Sequence, residues 1–149
     1  MEMLARLKDK ARTVLRIASN QTVDDAICLM ASGKVSALLV TENDQPAGIF
    51  SQRDVFHTYL RNRSMVFSEI ILENAMMRNL IVAETEDSVT AVMARMIKAD
   101  ITHLPLIEEK KIVGMLTLKD LMEHQINSLT DEIHQLKDYI ADLHEAGQD

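Results

Sequence analysis

Aromatic rings are scarce in this sequence. Two Tyr, three Phe and no Trp make up 3% of the chain, too few for the stacking platforms that hold single-stranded nucleic acid. A surplus of positive charge is also lacking. Sixteen Lys and Arg against 23 Asp and Glu give a net charge of −7. A nucleic-acid binder replaces backbone counterions with a cationic face, so that class is set aside. The single cysteine, Cys28, can form neither an intrachain disulfide nor a zinc knuckle. It lies in a helical pattern where a small core side chain is expected, and it fits a reducing compartment. His57, His124, His134 and His144 do not join it in a metal-ligand spacing. Four glycines are too few for a phosphate-wrapping loop. No Ser-His-Asp order, nucleophile elbow or Walker loop is present, so no enzyme is expected. No apolar run approaches the ~18 residues that cross a bilayer. Arg6, Lys8, Asp9, Lys10 and Arg12 break up the apolar positions near the start, leaving no signal-like apolar segment. The expectation is a soluble cytoplasmic protein without a membrane role.

What is present is a repeat. The chain has 149 residues, 47% of them apolar, enough for a core. Shifted by 66 residues, it aligns with itself without gaps. Val23 falls on Val89, Met30 on Met96, Leu38 on Leu104, Gly48 on Gly114, Ser51 on Thr117 and Asp54 on Asp120. Each copy opens with a short apolar stretch, residues 14–17 or 80–83. A helix follows, capped by Thr22 or Ser88, with Asp25 placed to close a capping box in the first copy. Val23, Ala26, Ile27 and Met30 recur at helical spacing, as do Val89, Val92, Met93 and Met96. Gly33 is expected to end the first helix in a left-handed conformation. Ala99 stands there in the second copy, where a different ending is expected. Strands are expected at 35–41 and 47–50, and at 101–107 and 112–116, joined by polar turns at 42–46 and 108–111. A last helix begins near Ser51 or Thr117. The order is β-α-β-β-α, twice. The boundaries read as an N-terminal helix at 1–13, repeats at 14–63 and 64–125, and a C-terminal helix at 126–146. One copy alone buries little core, so the copies should pair.

The segments TVDDAICLM, VSALLV and GIFSQRD, matched by SVTAVMARM, ITHLPLI and GMLTLKD, resemble the CBS domain family, named after cystathionine β-synthase. The resemblance covers about residues 14 to 125. It implies an α/β fold of α+β type, in which tandem repeats pack as a pseudo-twofold pair with two clefts. It also implies an adenosine-containing regulatory ligand: AMP, ADP, ATP or S-adenosylmethionine, with Mg²⁺ accompanying ATP and no covalent cofactor. Such pairs regulate another protein and dimerise, so a homodimer and an unknown protein target are expected.

By the same resemblance each cleft is crossed. One combines Ser19, Val35, Ser36 and Ala37 with Thr117 and Asp120. The other combines Thr85, Ile101, Thr102 and His103 with Ser51 and Asp54. Strand backbone would read the adenine edge, and the Asp would accept from the ribose hydroxyls. The chemistry is sound, since a carboxylate can accept from both vicinal hydroxyls and a helix N-terminus favours a phosphate. Ser/Thr-x-x-Asp is equally a helix cap, and the residues leave both roles open. His103 stands where the family carries a phosphate-contacting base; its other reading is a satisfied strand histidine. Arg16, Lys34, Arg53 and Lys119 add positive charge or stay solvated.

The two ends have patterns of their own. Leu4, Leu7 and Ala11 share a face of a docking helix that covers the repeat pair or a partner. Ile126, Leu129, Ile133, Leu136, Ile140 and Leu143 form a heptad seam with Ile at a and Leu at d. It reads either as a parallel two-stranded coil or as a helix folded back on the globule. A structural dimerisation protein with empty clefts is the alternative to a ligand sensor.

Overall fold

Each α-helix begins where a hydroxyl side chain can stand in for a missing backbone partner. Four do so in the computed structural model, which describes residues 2–147. Thr22 opens α1 (Val23–Gly33): its hydroxyl accepts from the Asp25 N–H at 3.1 Å, and Asp25 returns the bond to the Thr22 N–H. Ser88 caps α3 (Val89–Ala99) by accepting from the Ala91 N–H at 3.1 Å, with no return bond. Ser51 opens α2 (Gln52–Arg61) and Thr117 opens α4 (Leu118–Ala146). Strands β1 (Arg16–Ala18), β2 (Ala37–Glu42) and β3 (Gln45–Ser51) make one sheet. Strands β4 (Ala83–Glu84), β5 (His103–Glu108) and β6 (Lys111–Thr117) make the other. In both, the first pair is parallel and the second antiparallel. The hairpin turns are two residues long. Asn43 and Asp44, and Glu109 and Lys110, all take positive φ, as a tight hairpin of matching twist requires.

The ending of α1 differs from expectation. Lys34, not Gly33, takes the left-handed conformation, at φ 54°, and Asp100 does the same after α3 at φ 55°. The two helices therefore end alike. Gly33 answers a packing need instead: a Cβ there would lie 2.3 Å from the Leu15 Cδ1 methyl. Cys28 is exposed rather than buried, because the core face of α1 carries Val23, Ala26 and Met30.

The N-terminal segment is a 3₁₀ helix, Leu4–Lys10, rather than an α-helix. With three residues per turn, Leu4 and Leu7 line up and are fully buried. They enter the core of the second repeat, beside Val92, Met96, Leu104 and Leu116. The segment between the repeats supplies Ile70, Leu72 and Met76 to the core of the first. Each repeat is thus finished by the chain that precedes the other. Met3 bridges Ser88 as Ile71 bridges Thr22. Farther along, Ile49 exchanges backbone bonds with Met77, both at 3.1 Å, and Met115 with Arg12, both at 2.9 Å. Gly48 and Gly114 make room for these approaches. A Cβ on Gly48 would meet the Met77 carbonyl oxygen at 2.3 Å, and one on Gly114 the Ala11 Cβ at 2.4 Å.

α4 runs unbroken from the second repeat through the heptad segment. It does not fold back: residues 129–147 are all exposed. No helix among the described residues is long and apolar enough to cross a membrane.

Gly48→Ala should lower stability by about 1–3 kcal/mol, because backbone must shift to relieve the overlap. Gly33→Ala should be near neutral, since a Leu15 methyl can rotate away and Ala favours helix by up to ~1 kcal/mol. Urea denaturation of both variants checks the order; equal losses would remove the backbone-approach argument.

Candidate functional site

A cavity of about 230 Å³ lies between the repeats. Ser51, Arg53, Asp54, His57 and Arg61 line it along α2, from its cap to its last residue. Asp100, Ile101, Thr102 and His103 reach it from the end of α3 and the start of β5. Met76, Met77, Asn79 and Ile81 close it from the inter-repeat segment. Both groups are placed by local rules. α2 starts at Ser51 because the ladder with β2 ends there, at the Ala37–Ser51 pair, and the Gln52 N–H turns to the Ser36 carbonyl at 3.0 Å. Residues 101–103 are aimed inward because Asp100 reverses the chain after α3.

Asp54 uses Oδ2 for the cap. That oxygen accepts from the Ser51 N–H at 2.8 Å and the Ser51 hydroxyl at 3.1 Å. Its Oδ1 has no hydrogen-bond partner among the described residues, and the side chain is only half-buried. Asp120 is arranged differently. Oδ2 accepts from the Thr117 N–H at 3.1 Å, and Oδ1 accepts from Arg12 Nη2 at 3.1 Å. Asp120 is 6% exposed. One aspartate keeps acceptor capacity toward a cavity; the other is held by a guanidinium.

The two faces expected to form clefts also differ in charge. Arg53 forks onto Asp100, donating to both carboxylate oxygens at 3.1 and 2.6 Å and to its carbonyl at 3.0 Å. These bonds hold the Asp100 carboxyl below its usual pKa. The corresponding positions of the other cleft carry Lys119 and Lys34, two cations that cannot pair.

His103 sits where the repeats meet. Its Nε2 lies 2.7 Å from the Ser36 hydroxyl of the first repeat and its Nδ1 2.9 Å from the Thr102 hydroxyl. Burial pushes its pKa below 6.5, and the Arg12 guanidinium adds to that; Asp120 and Asp54 oppose it. The ring is neutral at pH 7, donating from one nitrogen and accepting on the other.

The remaining candidates fall elsewhere. Thr85 does not line the cavity; its N–H donates to Ile107 and its carbonyl accepts from Ala5. Ser19 occupies the matching place in the first repeat, bonded to Thr41 and Glu73, and lines a separate polar pocket with Asn20, Glu42 and Arg78. Val35 packs against the core of the first repeat. Ser36 and Ala37 stand at the start of β2, and Thr117 with Asp120 forms the α4 capping box. Sequence reasoning missed Arg12 and Asp100. Asp100 had a signal: at 66-residue spacing it replaces Lys34, while Arg53 and Lys119 keep their sign.

Comparison with known proteins gives a consistent match. The family model for the CBS domain matches residues 10–61 and again 68–127. A mitochondrial CBS domain-containing protein of Arabidopsis thaliana, CBSX3, is 28% identical over 82% of this chain, which spans 61% of that protein's length. A solved protein with CBS domains from Burkholderia ambifaria superposes with a TM-score of 0.75 at 29% identity, covering 84% of this chain and 94% of that one. The CBS domain pair of protein MJ0100, solved with methylthioadenosine and S-adenosyl-L-methionine, shares the fold with a TM-score of 0.70 at 20% identity, covering 86% and 98% of the respective chains.

The His103 environment makes two pH predictions. Imidazole resonances followed by NMR should titrate with a midpoint below 6.5, and Arg12→Ala should move that midpoint up; an unmoved midpoint would exclude the guanidinium's influence. The unfolded chain takes up this proton near 6.5 and the folded chain only at lower pH. The His103 contribution to stability is therefore complete above 6.5 and declines as pH falls toward the folded pKa. Chemical denaturation of wild type and His103→Gln between pH 7.5 and 5 should show the steeper decline in wild type.

Proposed function

Because the chain belongs to the CBS domain family, we propose that it is a non-catalytic regulatory module that takes an adenosine-containing ligand into the cavity between its repeats. One observation carries this reading. The cavity joins the start of α2 to residues 101–103 of the opposite repeat, and Asp54 keeps Oδ1 without a partner there. A half-buried carboxylate with a spare oxygen suits the vicinal hydroxyls of a ribose. Ile101 and Ile81 offer apolar contact to a purine face. The N-terminal end of α2, with Arg53, supplies positive potential for a phosphate chain or for the carboxylate of S-adenosylmethionine, and Arg61 at the far end of the helix adds to it.

Two features shape how such a ligand binds. At about 230 Å³ the cavity is smaller than the roughly 300–1,000 Å³ usual for small-molecule sites. The exposed Arg53–Asp100 pair lines it, so a phosphate bound there competes with Asp100 for the guanidinium. A nucleotide with more phosphates competes more strongly for Arg53, and Mg²⁺ accompanying ATP would moderate that competition. In the other cleft, a ribose would have to displace Arg12 from Asp120. The first site to fill is thus the Asp54 side. The signal leaves through a change in shape read by another protein, and that change is bounded by the ligand's differential affinity for the two shapes.

A second reading has an observation of its own. Both Ser/Thr-x-x-Asp motifs are engaged in helix caps, as a scaffold with empty clefts would also have them. Calorimetry against AMP, ADP, ATP, S-adenosylmethionine and NAD, with and without Mg²⁺, separates the two. The expected result is binding by at least one ligand, weakened about 10- to 100-fold by Asp54→Ala through lost charged hydrogen bonds, and much less by Asp120→Ala. A saturating ligand, near 100 times its Kd, should stabilise the fold by ~2.7 kcal/mol. No heat from any ligand at millimolar concentration, with folded protein, would favour the scaffold.

A further inference from the structure

The second half of α4 leaves the globule with an apolar stripe uncovered. Beyond Leu129 every described residue of the helix is exposed, over a length of about 25 Å. Ile133 and Leu136 are 54% and 58% exposed, and Ile140 and Leu143 are similar. An amphipathic helix held at one end, with its apolar face in water, is marginal on its own. Something covers it.

We propose that a second copy of this chain covers it, as a parallel, in-register two-stranded coiled coil. Three observations choose this occupant. First, Ile occupies each a position and Leu each d position from 126 to 143, the distribution that favours two parallel strands. Second, the seam does not begin at the free segment. Met122, one d position earlier, is 45% exposed, so the stripe is continuous from the globule to the last turn. Third, the charges match. Glu132 is at g and Lys137 at e of the following heptad. In a parallel pair each Glu132 faces Lys137 of the other helix, and symmetry makes the contact twice. In an antiparallel pair g faces g and e faces e, and these two residues do not meet. Neither has an oppositely charged residue three or four positions away in its own helix, and neither forms an ion pair among the described residues. Their charges are left for a partner. This inference does not depend on the ligand reading: the seam lies outside the cavity, and an empty cleft would leave it unchanged.

Sedimentation of the full chain tests it. Wild type should sediment as twice the 16.8 kDa chain mass, and Ile133→Asp should sediment as a monomer. Ile133 is exposed, so the globule should keep its thermal transition in that variant. Glu132→Lys and Lys137→Glu should each weaken association about tenfold, because two attractions become two repulsions; the double variant should return toward wild type. For direction, Gly147→Cys in a Cys28→Ser background should give a disulfide-linked dimer under mild oxidation. In an antiparallel pair the two residues would sit at opposite ends. A monomeric wild type, a dimer indifferent to Ile133→Asp, single charge variants that associate like wild type, or no cross-link at 147 would each overturn the proposal.

Discussion

Two short backbone crossings tie each flanking segment to the repeat it completes. Ile49 with Met77, and Met115 with Arg12, exchange paired N–H···O bonds across positions where Gly48 and Gly114 carry no side chain. Everything nearby follows from those approaches. They fix the segment that brings Met76 and Leu72 into one core and the segment that brings Leu4 and Leu7 into the other. They also place Met77 against the cavity and Arg12 against Asp120. Neither repeat closes its core with its own β-α-β-β-α unit alone.

On this nearly symmetric backbone the side chains are not symmetric. The strand pairs and hairpin turns recur at a constant offset. The charges do not. Asp100 answers Arg53, whereas Lys34 faces the position of Lys119. His103 reaches across to Ser36, whereas Ala37 has no polar group to return the contact. Arg12 holds Asp120, whereas its counterpart Arg78 turns outward to Glu42. A duplicated backbone thus carries two unlike sets of side chains.

Much of the fold was legible because its signals are local. Thr22, Ser88 and Thr117 announce helix starts through bonds three residues away, and alternating core positions are written within each element. Grouping Ser51 and Asp54 with residues 101–103 required the family resemblance, since no local rule pairs residues about fifty apart. What stayed hidden depends on tertiary approach. Gly33 looked like a helix terminator because chain conformation is the usual reason for glycine, yet Leu15 sets its need. Cys28 looked buried because helical phase is uncertain by one residue beside a core position. Arg12 stood only as one of the charges that break up the apolar positions near the start, and the crossing at Met115 brings it to Asp120. Thr85 and Ser19 are fixed by the flanking segments, which no repeat-based alignment places.

The reciprocal crossing also dictates an order of assembly when the chain is made from its N-terminus. The first repeat possesses all its parts once residue 78 has emerged, because the segment that completes it follows directly. Residues 2–12 are made before the second repeat, yet their partners include Val89, Leu104 and Met115. Until β6 exists, Leu4 and Leu7 have no complete core to enter. Their apolar side chains therefore stay unsheltered until the whole of the second repeat has followed them.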